Sequence, residues 1–352
     1  MLITTWGDLG HMAPPDRTRK GLRWSRESDG AVAVVIGALL TFIIVVTLVG
    51  TYVLWYVPSN GDQLDTQYLN DTENSFLRMQ DLIGNSSPTL GEFITQSFQL
   101  GVAGTPPFSS STDSSISYAN DTSYDTSLNF SLAVNVTYSN VHTTIVLNEH
   151  YNASGLISLD TNTPFVPSSN FYFQDDTIIM QQAGSNYSQI IGHLPLSIAS
   201  NSSGLLLHAP DFTIYGDNTS LGTYGTTLLT MQFSRAGTSE PRYNTYFFTG
   251  QNVTVLNQTG GYTTAIVNNI TLKSFYYNIT SPQVLAWNTS LTSVYNGNGE
   301  ATGNSSAGIT WNFSNFNFSV YLKGDNLSIK STKTLKPFSI ELDYFVLRLL
   351  QI

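Results

Sequence analysis

From Ala31 to Val57 the chain runs AVAVVIGALLTFIIVVTLVGTYVLWYV, with no Asp, Glu, Lys, Arg, His, Asn or Gln. As a helix this stretch spans roughly 40 Å, more than the ~30 Å hydrocarbon core of a bilayer. Its polar residues are Thr41, Thr47 and Thr51, whose hydroxyls can bond back to carbonyls one turn earlier. Trp55 and Tyr56 close the segment as an aromatic belt and Pro58 follows. The pattern predicts a transmembrane helix over 31–57. Next, Pro58-Ser59-Asn60-Gly61 reads as a turn or kink. Leu64, Tyr68, Thr72, Phe76, Met79 and Ile83 then recur every three or four residues, one face of an amphipathic juxtamembrane helix over 58–84. Asp62 and Asp65 are expected in its first turn, at the positive end of the dipole, with Gly84 at its end.

Residues 85–126 form a connector rich in Ser, Thr and Pro. Within it Phe93 to Val102 reads as a strand that Thr105-Pro106-Pro107 stops, and Ser109 to Ser115 as a polar loop. From Leu128 the period becomes two: Leu128, Phe130, Leu132, Val134 and Val136 alternate with Asn129, Ser131, Ala133, Asn135 and Thr137. The alternation returns over 309–322 and 338–347, and it changes phase at Ser314-Asn315, which requires a bulge or turn. Residues 143–147, 155–159, 171–173, 177–180, 205–208, 228–233, 243–248, 253–256, 264–277 and 327–330 are further strand candidates. Gly260-Gly261, Asn296-Gly297 and Asn298-Gly299 supply turn chemistry, and almost no helical pattern follows Gly84. The fold class is therefore an N-terminal transmembrane α-helix plus an amphipathic helix, followed by a mostly antiparallel β-sandwich-like ectodomain over 127–352.

Charge gives the helix a direction. Arg17, Arg19, Lys20, Arg23 and Arg26 crowd its N-terminal side, and no Lys or Arg follows it until Arg78. The positive-inside rule puts the N-terminus in the cytoplasm and the β domain outside. Charged residues make up only 11% of the chain, so its surface charge changes little in acid, which suits an acidic or hot habitat. The net charge of −10 argues against an electrostatic nucleic-acid partner. No cysteine is present, so neither disulfides nor a thiolate metal site is available.

Asn-x-Ser/Thr sequons occur eighteen times, none of them before the apolar helix. They begin at Asn70, Asn85, Asn120, Asn129, Asn135, Asn152, Asn186, Asn201, Asn218, Asn252, Asn257, Asn269, Asn278, Asn288, Asn304, Asn312, Asn317 and Asn326. Asn129, Asn135, Asn312 and Asn317 fall on the polar phase of their strands, where a glycan leaves the core undisturbed. An Asn/Ser/Thr-rich chain also makes such triplets by composition alone.

Residues 1–30 carry Gly, Pro and mixed charge without apolar periodicity and read as a disordered cytoplasmic leader. The apolar run is too long for an ordinary secretory signal, and no A-x-A site ends it. Arg26-Glu27-Ser28-Asp29-Gly30, followed at once by Ala31-Val32-Ala33-Val34-Val35-Ile36-Gly37, resembles the class III signal of archaeal type IV pilins and archaellins. The resemblance implies cleavage by a prepilin peptidase after Gly30, with Asp29, Gly30 and Ala31 as the processing residues. It also implies a helix kept as a membrane anchor or as the packed core of a filament of pilin-like subunits. The fifth residue after that cut, a Glu in many type IV pilins, is Val35 here, as in many archaeal members, and the thirty-residue leader is long. Gly37, Ala38 and Gly50 would permit close helix packing.

No G-x-S-x-G elbow, P-loop or H-E-x-x-H motif is present, and His142 and His150 lack ligand spacing. Asp175, Asp176 and Asp211 lack the D-x-D-x-D-G pattern of a calcium loop. No catalytic residue, metal or cofactor is therefore expected, and the first expectation is a non-enzymatic, N-glycosylated pilin-like surface protein acting as filament subunit, minor pilin or adhesin. An unprocessed single-pass receptor or envelope protein is the alternative, and a membrane-tethered hydrolase with spatially paired carboxylates is a third.

Overall fold

The computed structural model describes residues 21–85, 91–104, 106, 109–120, 123, 125–185, 187–194, 196–201, 204–234, 242–256, 260–296, 300–301, 309–313, 316–323, 326–331 and 339–352. Most of the leader, the sequon asparagines Asn186, Asn257 and Asn304, Gly297, the Asn298-Gly299 pair and the Ser314-Asn315 phase change lie outside the described residues. The chain divides into two compact units between Ser59 and Asn60.

Helix α1 (Gly21–Thr51) passes into a π turn (Tyr52–Tyr56) and then α2 (Val57–Asn85). No turn forms at Pro58–Gly61, and the reason is the π turn just before it. The Val57 N–H donates to the Tyr52 carbonyl, five residues back. Proline has no N–H and its ring presses on the carbonyl four residues earlier, here Leu54. A locally wide turn makes room for it without ending the helix. Asp62 and Asp65 consequently sit inside a helix, not in its first turn.

Gly61 has another use: a β-carbon there would meet the Phe165 ring at 2.2 Å, so the missing side chain is the seat of that ring. Tyr68, Thr72, Phe76, Met79 and Ile83 are buried as the periodicity predicts, whereas Leu64 is only half-buried and Asp65 and Gln80 join the buried face.

The rest of the second unit holds three sheets. Sheet A has the order β1 (Phe93–Leu100), β12 (Gly225–Phe233), β20 (Ser339–Gln351), β10 (Gly204–Tyr215), β9 (Ser197–Asn201), with β13 (Arg242–Phe248) also on β20. Sheet B runs β11 (Thr219–Thr223), β2 (Ser114–Ala119), β5 (Leu156–Asp160), β6 (Ser169–Gln174), β7 (Thr177–Gln182), β8 (Ser188–Ile190). Sheet C runs β16 (Glu300–Ala301), β17 (Ile309–Phe313), β18 (Phe316–Lys323), β19 (Asn326–Ser331), β15 (Tyr262–Thr280), β3 (Thr126–Tyr138), β4 (Val141–Ala153), with β14 (Asn252–Leu256) also on β15.

Among the described strands the pairings are antiparallel except β10 with β20. The Ser109–Ser115 loop is shorter than predicted, because Ser114 and Ser115 already belong to β2. Strands β17 and β18, on either side of the predicted phase change, pair antiparallel with Phe313 registered against Phe316.

Helix α3 (Val284–Asn296), after β15, is not expected from the sequence pattern, nor are the short strands β2, β8, β9, β11 and β16. The start signal of α3 is Ser281-Pro282, with the Ser281 Oγ accepting from the Gln283 N–H at 3.2 Å and Pro282 placed where a helix needs no donor.

Two cores result. The first lies under sheet C, built from Leu128, Leu132, Val267, Ile270, Phe275 and Ile329 with Trp287 of α3. The second combines residues of sheets A and B with α2, and includes Phe76, Phe98, Phe171, Phe173, Leu229 and Phe233. Strand β10 feeds both: Leu207 and Ala209 enter the first core, Phe212 and Ile214 the second. The change from odd to even positions falls at Pro210-Asp211.

Phe76 shows how α2 is fixed to the β body. Its fully buried ring meets Phe98 edge-on at 5.0 Å and stacks on Phe171 at 5.9 Å. Phe76→Ala is expected to destabilise the protein by about 3–5 kcal/mol; chemical denaturation followed by tyrosine and tryptophan fluorescence measures it.

Candidate functional site

The N-terminal unit offers a membrane-length surface. An 18-residue window of its helix has a mean hydropathy of 3.0 and none of it is buried. Thr41, Thr47 and Thr51 donate their hydroxyls to the carbonyls of Gly37, Ile43 and Thr47 at 2.8, 2.7 and 2.9 Å. The helix thus has the length and apolarity to cross a membrane once, with its hydroxyls already satisfied. The backbone of Asp29-Gly30-Ala31 lies within α1, so the cleavage position implied by the resemblance falls in a helical stretch. A β-carbon added to Gly37 or Gly50 would meet nothing within 4 Å.

In the second unit, polar side chains converge on the two-residue turn between β6 and β7. Asp175 and Asp176 both adopt left-handed conformations, with φ of 46° and 54°, which Asp tolerates better than most residues. Asp175 Oδ1 accepts from the Phe212 N–H at 2.7 Å, and its Oδ2 accepts from the Tyr277 hydroxyl. One carboxylate of sheet B therefore ties β10 of sheet A to β15 of sheet C. Beside it the Gln174 Nε2 donates to the Thr280 carbonyl at 3.0 Å.

From α2, Gln80 donates to the Asp176 carbonyl and accepts from the His193 N–H at 3.1 Å. A second carboxylate, Asp65, is 1% exposed and accepts from the N–H groups of Phe165 and Val166 at 2.7 and 3.3 Å, holding the β5–β6 connection to α2. From the sequence Asp175 and Asp176 read as turn carboxylates, with a cation site as the lesser alternative; their buried setting is not legible there.

Asp176 differs from its neighbour. Its Oδ1 has no hydrogen-bond partner, and its carboxyl is pushed well above the usual carboxylate range. Burial is the main cause, followed by repulsion from Asp175, with a smaller contribution from Asp81; a hydrogen bond from Gln80 partly opposes them.

Other candidates do not assemble. His142 bonds Thr137 Oγ1 at 2.7 Å and His150 bonds Asn129. Eight residues apart on β4, the two histidines are separated by roughly 26 Å. Among the described residues no group of three His, Cys, Asp or Glu is placed to hold a metal ion. An open groove of about 700 Å³ lies between α2 and β1, lined by Leu82, Phe93 and Ile94 with Arg78, Asp81 and Glu92.

The sequon asparagines fare differently by location. Asn70, Asn85, Asn120, Asn152, Asn218 and Asn252 are exposed, and Asn129, Asn135, Asn269, Asn278 and Asn288 half-buried. None of these is fully buried. Asn312, Asn317 and Asn326 lie on β17, β18 and β19, with Asn312 registered against Asn317.

The raised carboxyl of Asp176 sets a pH dependence with a definite sign. The fold penalises the charged form, so its full stability is present below the unfolded-state value of about 3.9 and is lost as pH rises through the folded-state value. Thermal unfolding of the full chain in detergent is expected at a higher temperature at pH 4 than at pH 7. Asp176→Asn, which keeps the left-handed turn and cannot ionise, is expected to raise the pH 7 value and flatten the difference. A wild-type protein less stable at pH 4 would contradict this.

Compared with protein-family models, with curated proteins and with solved structures, the chain has no match in any of the three.

Proposed function

We propose that this chain is an archaeal pilin-like, N-glycosylated cell-surface protein, a filament subunit or minor pilin or adhesin, and not an enzyme. The observation that carries the reading is the Asp29-Gly30 pair at the head of a single apolar helix whose described membrane-length part has no cover of its own. The basic residues ahead of the helix orient it with the N-terminus in the cytoplasm and the β domain outside.

A prepilin peptidase would remove residues 1–30, leaving Ala31 as the new N-terminus. Gly37, Ala38 and Gly50 then allow neighbouring helices to approach closely. The open space at Gly37 and Gly50 supports that role, because the chain's own packing gives no reason for a missing side chain there. The β domain would face solvent, partner subunits or a surface, and its low charge suits an exposed position in acid.

N-terminal peptide mass analysis of the protein from its own membranes tests the reading. An Ala31 start is expected, and Gly30→Leu is expected to leave the leader attached. A Met1 start in the unaltered protein would make it an unprocessed single-pass surface receptor or envelope protein.

A further inference from the structure

Sheet C differs from the other two sheets in its choice of amide side chain. Its strands contain eleven asparagines and no glutamine, whereas those of sheets A and B together contain three asparagines and eight glutamines. Asparagine is depleted in strands, so nothing in strand formation favours it over the longer amide. Nine of the eleven begin a sequon: Asn129 and Asn135 in β3, Asn152 in β4, Asn252 in β14, Asn269 and Asn278 in β15, and Asn312, Asn317 and Asn326 in β17, β18 and β19. In the strands of the other two sheets one asparagine does, Asn201.

Strand geometry turns these triplets into surface groups. Residues i and i+2 share a face, so Asn129 with Ser131, Asn135 with Thr137, Asn269 with Thr271 and Asn278 with Thr280 present amide and hydroxyl together. The residues between them, Phe130, Val136, Ile270 and Ile279, are buried in the core. Cross-strand register gathers the asparagines: Asn135 stands opposite Asn269, and Asn129 opposite Tyr276. At three of the sequon asparagines the cross-strand hydrogen bonds use the amide oxygen, whereas Asn268, which begins no sequon, donates its Nδ2 to Thr137. Asn135 Oδ1 accepts from Thr144 and Asn278 Oδ1 from Ser328, each at 2.7 Å, and Asn129 Oδ1 meets His150. Nδ2, the atom a glycan would take, is not the bonded atom in any of the three.

We propose that the outer face of sheet C is a built N-glycan acceptor surface, the most heavily glycosylated face of the β domain. The inference rests on the exterior placement of that domain in the reading above. In the transfer, Nδ2 loses one proton and gains a bond to the anomeric carbon of an oligosaccharide. The bond broken joins that carbon to a phosphate oxygen of a lipid-phosphate-linked donor, and the lipid phosphate leaves with the electron pair. Because β3 is paired along both edges, with β15 and β4, the transfer to Asn129 and Asn135 precedes closure of the sheet. The hydroxyl and amide ladders then keep the strands in register beneath the sugars.

Site-resolved glycopeptide mass spectrometry of the full chain from its own membranes tests this. Occupancy is expected to be higher at Asn129, Asn135, Asn269 and Asn278 than at the exposed sequons of α2 and the loops, Asn70, Asn85, Asn120 and Asn218. Equal or lower occupancy on sheet C overturns the proposal. So does a complete absence of glycan, which together with an Ala31 start leaves the filament reading intact. Glycans concentrated on sheet C of a protein that starts at Met1 sustain the acceptor face and overturn processing.

Discussion

The β body depends on one turn. Gln174, Asp175 and Asp176 close the β6–β7 hairpin of sheet B, and their polar atoms reach sheet A, sheet C and α2 within a few residues. Each sheet on its own would leave one face to be covered, and the two cores meet near this junction. A buried carboxylate is costly unless hydrogen-bonded, and Asp175 meets the condition by taking donors from two different sheets. The same geometry buries the Asp176 carboxyl and, to a lesser extent, crowds it with the like charge of Asp175. Joining three sheets at one point thus creates a group that prefers to be neutral.

That preference agrees with the rest of the surface. The chain uses hydroxyls and amides where most proteins use charged residues, and its strand faces are laced by bonds such as Ser131 to Asn148 and Ser117 with Ser158. Such bonds persist when carboxylates gain protons. At Asp176 the gain of a proton is itself favourable, because burial and the neighbouring Asp175 penalise the charged form.

The helix solves a separate problem. A proline just beyond a membrane-length segment would ordinarily end it, and a glycine three residues later reinforces the expectation. The π turn at Tyr52–Tyr56 absorbs the proline instead, and Gly61 gives its space to Phe165. Both residues are thus explained by what lies against them and not by local preference for a turn.

Local chemistry alone determined much of this protein. The apolar run, the helical spacing from Tyr68 to Ile83 and the two-residue alternation of β3 are short-range periodicities, and burial follows them because one face of each element must leave water. The sequons, too, were legible one by one. Tertiary structure decided what depends on residues far apart. Asp65 and Gln80 look like solvent-facing helix residues until residues a hundred positions away supply their partners. Asp175 and Asp176 look like an ordinary turn until three sheets enclose them. The Ser-Pro start of α3 is a local signal in the chain, set between two runs of strand periodicity. The gathering of asparagines onto sheet C belongs to register: alternation places each on a polar face, but only the pairing of β3, β4 and β15 shows that the face is shared.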